Sequence, residues 1–268
     1  MKLLRFLYRL LKKPLRLFYS IWIRLFTYLA CLNWKPYIDN NTGIDKLAHK
    51  PLIGWLNYHQ HYVLGKSVRF LGHRALKNPI DAWIYQEIIY EVKPDIVFEI
   101  GNKNGGSTLY LAGILEMMNS GRVLALDIDH SKFTVEHDRI DLITGDSTDP
   151  QIIRRVNEYC EGKSCLIIHD AAHSQEAVIT DLRNYCNLVK PQSYIIVEDT
   201  FEGLRGFMRD EYRDRYETFT RPLRNTALQA VQQFVQEDTR FVIDRSREKW
   251  ILTSNPYGYL KCITNENY

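Results

Sequence analysis

The amino-acid sequence predicts an α/β fold built on a doubly wound, seven-stranded sheet with an antiparallel edge. From residue 95 onward, short apolar runs alternate with helical patterns, which is typical of repeated strand–helix units. A glycine-rich turn follows the first apolar run, and later runs end in acidic residues. Because parallel strands place their carboxyl ends along one edge, the pattern predicts a ligand site at that edge.

The first 38 residues form a basic amphipathic segment. They contain eight basic residues and no acidic one, mostly at steps of three or four, which places them on one face of a helix. Large apolar residues fill most of the remaining positions, so the segment suits the surface of an anionic membrane. A transmembrane span over residues 17–34 competes with this interpretation, although Arg24 near its centre would cost about 2.5–3.5 kcal/mol. A signal peptide, here without a clear cleavage site, and a helix packed on protein also compete with it.

Charge and cysteine usage limit the class of partner and compartment. The chain of 268 residues has a formal net charge of +3, and removing the eight N-terminal basic residues leaves −5 for the rest. Nucleic acid is therefore a poor partner. Five cysteines without a C-x-x-C pair favour reduced thiols over a disulfide framework. We expect a cytoplasmic protein associated peripherally with the inner face of the plasma membrane, and a homo-oligomer remains open.

The chain divides into the basic segment, a linker and N-terminal cap over residues 39–78, and the main domain over residues 79–268. The segment over residues 200–221 is long and rich in charged and aromatic side chains, and we expect a mobile lid or substrate loop there. The strand candidates are Asp95–Ile100, Arg122–Asp127, Ile140–Thr144, Ser164–His169, Ser193–Glu198, Phe241–Asp244 and Lys249–Leu252. The helix candidates are Asp81–Val92, Ser107–Met118, Pro150–Tyr159, Ser174–Leu188 and Leu223–Gln236.

A glycine turn joins the first sheet strand to the next helix. Glu99 ends the strand, and Gly101, Gly105, Gly106 and Ser107 follow it. Such a turn lets backbone N–H groups approach a ligand that a side chain would block. The spacing matches neither the dinucleotide fingerprint nor the P-loop. Taken alone, the glycines also fit a turn that only packs a helix closely on a strand.

Asp127 ends the next strand and gives the turn a second acidic neighbour. An acidic strand end can bind ribose hydroxyls, and an acidic residue beside the turn can face a cationic ligand. S-adenosylmethionine carries a ribose, an α-ammonium group and a sulfonium. It therefore suits this pocket better than a pyrophosphate does.

Three more carboxylates end two later strands. Asp170 follows one strand, and Glu198 and Asp199 follow the next. At one sheet edge these groups would repel one another, and a divalent cation would remove the repulsion. All-oxygen ligation suits Mg²⁺ or Mn²⁺. The alternative is that some of these carboxylates cap the following helices, but the Glu-Asp pair together with Asp-x-x-His favours the metal.

The motifs share a fixed order along the chain. They are Asp81-Ala-Trp-Ile-Tyr-Gln-Glu87, Glu99-Ile-Gly101 with Gly105-Gly-Ser107, Asp127-Ile-Asp129, Gly145-Asp146-Ser147, Asp170-Ala-Ala-His173-Ser174, Val197-Glu-Asp-Thr200 and Thr253-x-Asn255-Pro-x-Gly258. In combination they resemble the cephalosporin hydroxylase/rhamnosyl O-methyltransferase family of class I, S-adenosylmethionine-dependent methyltransferases. The resemblance spans roughly residues 51–260. Ala171-Ala172 replaces the family's more usual Ser-Asp, and Asn102-Lys103-Asn104 fills the glycine turn.

The resemblance implies a Rossmann-like fold and methyl transfer to a hydroxyl, often on a sugar. It implies Asp170, Glu198 and Asp199 as metal ligands, and His173 as the catalytic base beside Asp170. It places the cofactor pocket at Glu99, Gly101, Gly105, Gly106, Ser107, Asp127, Asp146 and Ser147.

Two further functions compete with methyl transfer. A metal-dependent glycosyltransferase would use the D-x-D of Asp127-Ile128-Asp129, and a membrane-recruited scaffold would have kept the fold without activity. Neither explains both the glycine turn and the Glu198-Asp199 pair. If the basic segment lies on a membrane, the acceptor is expected to be a lipid-linked sugar, such as a glycolipid or a polysaccharide precursor. A glycosylated metabolite is the alternative acceptor.

Overall fold

The computed structural model of the protein describes residues 59–64, 68–201 and 225–264. All of these residues lie in one compact unit. The predictions for the basic segment, for most of the linker and for nearly all of the loop over residues 200–221 fall outside the described ranges. Within those ranges, no helix is long and apolar enough to cross a membrane. The four cysteines that the structure describes are free and buried.

A seven-stranded sheet forms the centre of the unit. The chain enters through a π-helical turn, His59–Leu64, and a small hairpin of β1 (Arg69–Phe70) and β2 (His73–Arg74). The sheet strands are β3 (Ile96–Ile100), β4 (Arg122–Asp127), β5 (Ile140–Thr144), β6 (Cys165–His169), β7 (Tyr194–Val197), β8 (Phe241–Ile243) and β9 (Tyr259–Cys262). Their order is β5-β4-β3-β6-β7-β9-β8, and β9 is antiparallel to both neighbours. This arrangement confirms the predicted α/β, Rossmann-like fold.

Five α-helices cover the sheet within the described ranges. They are α1 (Pro79–Val92), α2 (Gly106–Met117), α3 (Pro150–Cys160), α4 (Gln175–Tyr185) and α5 (Ala227–Glu237). Local sequence sets several of their ends. Asn78 and Asp149 each accept a backbone N–H in the first turn of a helix that begins with proline. Helix α1 ends at Lys93, which adopts a left-handed conformation just before Pro94.

The core consists of two apolar layers, one on each face of the sheet. One layer packs α1 and α2 on the sheet, and the other packs α3, α4 and α5 on it. Strands β3 and β6 are buried along their whole length, which explains their continuous apolar sequence. Alternate residues of a strand enter opposite layers. In β3, for example, Val97 belongs to the first layer and Phe98 packs edge-on against Tyr185 of α4 in the second.

One predicted strand is wrong. Residues 249–252 were expected to form the last strand, but they follow a 3-10 helix, Arg245–Glu248, in an exposed turn. Ile251 has a φ of 67° there and is 67% exposed, so its apolar side chain does not indicate a buried strand. The last strand is β9, where Tyr259 and Leu260 are fully buried between β7 and β8.

The glycine turn after β3 is held between two other chain segments. Gly101 has a φ of 90°, and a Cβ atom there would lie 2.2 Å from the carbonyl oxygen of Asp170. A Cβ atom at Gly106 would lie 2.3 Å from the carbonyl oxygen of Arg74. These contacts require glycine at both positions. The close approach also fixes the end of β6 against the end of β3, where the functional side chains lie.

Candidate active site

A cleft of about 810 Å³ opens at the carboxyl ends of the parallel strands. This volume lies in the usual range for ligand pockets. The cleft is lined by residues that follow β3, β4, β5 and β6. Among the predicted site residues, those on its wall are Gly101, Ser107, Asp127, Asp146, Ser147, Asp170, His173 and Asp199. Glu99, Gly105, Gly106 and Glu198 do not line the cleft.

Asp127 braces the glycine turn with its carboxylate. Its Oδ2 accepts the backbone N–H groups of Asn102 at 2.7 Å and Lys103 at 2.8 Å. Its Oδ1 accepts the N–H of Asp129 at 3.1 Å. Burial opposes the charge, but these hydrogen bonds outweigh it, so the pKa of Asp127 is lowered. Because a carboxylate has about four acceptor positions and three are used here, Asp127 can still accept one ribose hydroxyl.

Glu99 supports the turn from beneath rather than from the cleft wall, because its side chain is fully buried. Its Oε2 accepts hydrogen bonds from the hydroxyl of Thr108 at 2.5 Å and the amide of Asn102 at 2.9 Å. Its Oε1 has no hydrogen-bond partner and lies 3.9 Å from the ammonium of Lys77. In this geometry Glu99 supports the cofactor site through the turn, and a direct contact between Glu99 and the cofactor stays a prediction.

The part of the cleft wall that follows β4 and β5 combines a polar turn with an apolar side chain. One oxygen of Asp146 accepts both the N–H and the hydroxyl of Thr148, each at 2.8 Å, and leaves its other oxygen for a ligand. The carbonyl of Ser147 accepts the hydroxyl of Tyr185 at 2.7 Å, which anchors this turn to α4. Ile128 lies on the cleft wall and is 72% exposed. No role was predicted for it from the sequence, although an apolar residue between two aspartates was a usable signal.

Asp170, His173 and Asp199 converge beside this cofactor-sized space. One ligand atom from each lies within 4.8 Å of the other two. The Nε2 of His173 lies 3.4 Å from Asp199 Oδ2 and 4.0 Å from Asp170 Oδ1, and its Nδ1 has no hydrogen-bond partner. Two carboxylates and an imidazole are a donor set that fits a divalent cation. The structure therefore brings together two of the three predicted metal ligands and the predicted base.

Asp199 is held by a loop for which the sequence predicted no mechanical role. Its φ is 56°, an uncommon left-handed conformation for a residue other than glycine. Its N–H donates to Asn255 Oδ1 at 3.1 Å, and the amide of Asn255 donates to the hydroxyl of Tyr85 at 2.7 Å. Asn255 is fully buried, so this loop fixes the direction in which the Asp199 carboxylate leaves the sheet.

Glu198 has a different neighbour from the one expected. Its carboxylate is buried and accepts a hydrogen bond from Lys77, which also bonds Asp170 Oδ2 at 2.6 Å. Burial alone would lower the pKa of the Lys77 ammonium, but Asp170, Glu198 and Glu99 outweigh burial and hold that pKa above its usual range. The assignment of Glu198 as a metal ligand stays a prediction. No sequence pattern pointed to Lys77, which precedes an ordinary helix cap.

A sequence model of the family described as "Rhamnosyl O-methyltransferase/CmcI" matches residues 62–263. The chain belongs to this family. Proteins named rhamnosyl O-methyltransferase from Mycobacterium leprae (strain TN) and Mycobacterium tuberculosis (strain ATCC 25618 / H37Rv) are 33% and 32% identical over 154 residues. The matched region is 53% of this chain and 66% and 62% of those relatives. The chain thus matches slightly less than two thirds of their length.

Solved structures of CmcI share the fold. One described as a Mg–SAM complex has a TM-score of 0.56 at 19% identity and covers 84% of this chain and 87% of its own. One described as an apo structure has a TM-score of 0.55 at 20% identity, with 84% and 86% covered. At this level of identity the likeness shows a shared fold and no detail of the site.

Replacing Thr108 with valine tests the support beneath the turn. The substitution keeps the shape but removes a hydrogen bond to the buried Glu99 carboxylate, so the free energy of unfolding should fall by about 2 kcal/mol. Thr180→Val is the matched control, because the Thr180 hydroxyl bonds only the Glu176 carbonyl on a partly exposed helix. The control should change stability by less than about 0.5 kcal/mol. Equal effects in urea denaturation would show that Glu99 does not depend on Thr108.

Proposed function

We propose that this protein is an S-adenosylmethionine-dependent and divalent-metal-dependent O-methyltransferase that acts on a sugar hydroxyl. The observation that carries the proposal is one cleft with two chemically different ends. The braced glycine turn and Asp127 form one end, and Asp170, His173 and Asp199 form the other. Membership of the rhamnosyl O-methyltransferase/CmcI family and the Mg–SAM complex described for CmcI support this choice of cofactors.

The cofactor fits the end of the cleft between the glycine turn and Ile128. Asp127 can accept a ribose hydroxyl, and the exposed face of Ile128 can cover an adenine ring. The free oxygen of Asp146 is available to a polar edge of the base. A cofactor bound there would share the cleft with the carboxylates that follow β6 and β7, where methyl transfer would occur.

The acceptor hydroxyl belongs at the carboxylate end. Asp170 and Asp199, with His173 or Glu198, would hold the cation. When bound, a divalent cation would polarise the hydroxyl and lower its pKa. If His173 is not a ligand, its imidazole can take the hydroxyl proton and its contact with Asp199 orients the ring. The cleft contributes mainly by holding the oxygen in line with the methyl group.

The D-x-D motif supports a turn rather than a glycosyltransferase site. Asp127 uses both oxygens on backbone N–H groups, and Asp129 accepts the N–H and the hydroxyl of Ser131, each at 2.8 Å. Three of the four acceptor positions of Asp127 are used in this way, which leaves one for a single hydroxyl but disfavours joint binding of a metal and a diphosphate. The non-catalytic alternative does not account for the convergence of Asp170, His173 and Asp199.

Asp127→Ala should weaken S-adenosylmethionine binding by at least about tenfold, the effect of losing one charged hydrogen bond. The substitution removes both the ribose acceptor and the brace of the turn. Asp138→Ala is the control, because Asp138 is exposed and does not line the cleft, so affinity should stay within about twofold of the wild type. Isothermal titration calorimetry without metal measures both. Equal affinity of Asp127→Ala and the wild type for S-adenosylmethionine would show that Asp127 is not part of the cofactor site.

Asp199→Ala should abolish methyl transfer yet leave S-adenosylmethionine affinity nearly unchanged, because the metal serves the acceptor rather than the adenosine. His173→Ala should lower kcat, spare Mn²⁺ affinity and recover partly at higher pH. Loss of Mn²⁺ affinity would instead make His173 a ligand. Glu176→Ala, an exposed carboxylate in the first turn of α4, is the control. Full activity in excess chelator would show that the reaction needs no metal and that these carboxylates have a structural role.

The acceptor and location form a finer part of the proposal. The basic residues 1–38 would hold the enzyme on the anionic inner face of the plasma membrane, and the acceptor would be a lipid-linked sugar, with rhamnose suggested by the relatives' names. Binding to anionic vesicles should fall with added salt and with deletion of residues 1–38. Neutral vesicles are the control. Binding that survives both high salt and alkaline extraction would indicate a transmembrane span instead.

A further inference from the structure

A buried lysine lies among the carboxylates of the candidate metal site. The side chain of Lys77 is 6% exposed, and its Nζ contacts Asp170 Oδ2 at 2.6 Å and Glu198 Oε1. It also lies 3.9 Å from the otherwise unpartnered Oε1 of Glu99. Lys77 therefore uses one oxygen of each neighbouring strand-end carboxylate. The other oxygen of Asp170 is the one that faces His173.

The acidic groups around Lys77 explain why a lysine ammonium is buried at this position. Glu99, Asp170, Glu198 and Asp199 bring four carboxyl groups to adjacent strand ends, and Glu99 and Glu198 are almost completely buried. Buried like charges without a partner are strongly destabilising. The ammonium of Lys77 offsets one negative charge before any ion binds, and Asp170 and Asp199 still line the cleft, where they can attract a divalent cation.

We propose that Lys77 is a built-in counter-ion of the metal site, which holds Asp170 and Glu198 in place in the metal-free protein and lowers the affinity of the site for its cation. This inference rests on the proposed metal-dependent function. It makes Lys77 a positioning residue that also sets metal affinity. The consequence is a site that is already formed without its ion and exchanges that ion readily.

Two effects of Lys77 on the cation oppose each other. Orienting the ligands favours metal binding, and losing that kind of support typically costs about 10- to 100-fold in affinity. Repulsion between the ammonium and the cation disfavours binding. At a separation of a few ångströms in a buried site, repulsion between a unit charge and a divalent ion is the larger effect. Removing the charge should therefore tighten metal binding, which a merely structural lysine would not do.

Lys77→Met, which keeps the length of the chain without its charge, tests the inference. Calorimetry with Mn²⁺, in the absence of S-adenosylmethionine, should give a dissociation constant at least about tenfold lower than that of the wild type. Lys77→Arg keeps the charge on a bulkier group and should therefore bind Mn²⁺ more weakly than Lys77→Met does. Lys77→Met should also be less stable without Mn²⁺ and gain more in Tm than the wild type when Mn²⁺ is added.

Unchanged or weaker Mn²⁺ binding by folded Lys77→Met would overturn the inference but leave the proposed function intact. A wild-type protein that binds no divalent cation would overturn both. If Lys77→Met does not fold, the ammonium ¹⁵N signal of Lys77 in the wild-type protein tests whether this ammonium lies close enough to sense the bound cation. That signal should shift as Mg²⁺ saturates the site, and an unchanged signal would contradict the inference.

Discussion

Buried carboxylates at the end of a parallel sheet repel one another unless cations or hydrogen-bond donors accompany them. This constraint governs the edge at which β3, β6 and β7 end. Two kinds of partner stabilise these acidic groups, namely neutral hydrogen-bond donors and a buried ammonium. Glu99 is bonded by Thr108 and Asn102, and Asp170 and Glu198 share Lys77. Asp170, His173 and Asp199 face the cleft, where their oxygen and nitrogen atoms can bind a ligand.

The register of the sheet explains why these groups meet. Ile100 pairs with His169 and His169 pairs with Val197, so the residues that follow them leave the sheet side by side. The N–H of Asp170 donates to the carbonyl of Ile100 at 2.8 Å, which continues the ladder to the last residue. A shift of one residue in register would turn alternate side chains to the opposite face. The continuous apolar sequences of β3 and β6, buried on both faces, therefore serve the site as well as the core.

The sequence was enough to predict the fold and the edge that carries the cleft, because both follow from strand–helix alternation and from residues at strand ends. It failed where tertiary contacts decide. Residues 249–252 are apolar enough for a strand but lie in an exposed turn, whereas β9 completes the sheet. Lys77 was missed because a lysine is normally exposed, and only its three-dimensional neighbours make it stable when buried. The sequence also could not show that the Glu99 side chain is fully buried beneath the turn, because the direction of a strand-end side chain depends on its neighbours in the fold.

The antiparallel edge of the sheet has a function that its position does not suggest. The loop between the 3-10 helix and β9 contains Asn255, which receives the Asp199 N–H and keeps that residue in its left-handed conformation. The same loop is fixed to α1, because Thr253 and the Ser254 N–H bond the buried carboxylate of Asp81. A left-handed residue other than glycine persists only where its surroundings determine it. The loop that leads into β9 thus helps to shape the site, since it fixes the direction of the Asp199 carboxylate, which follows β7.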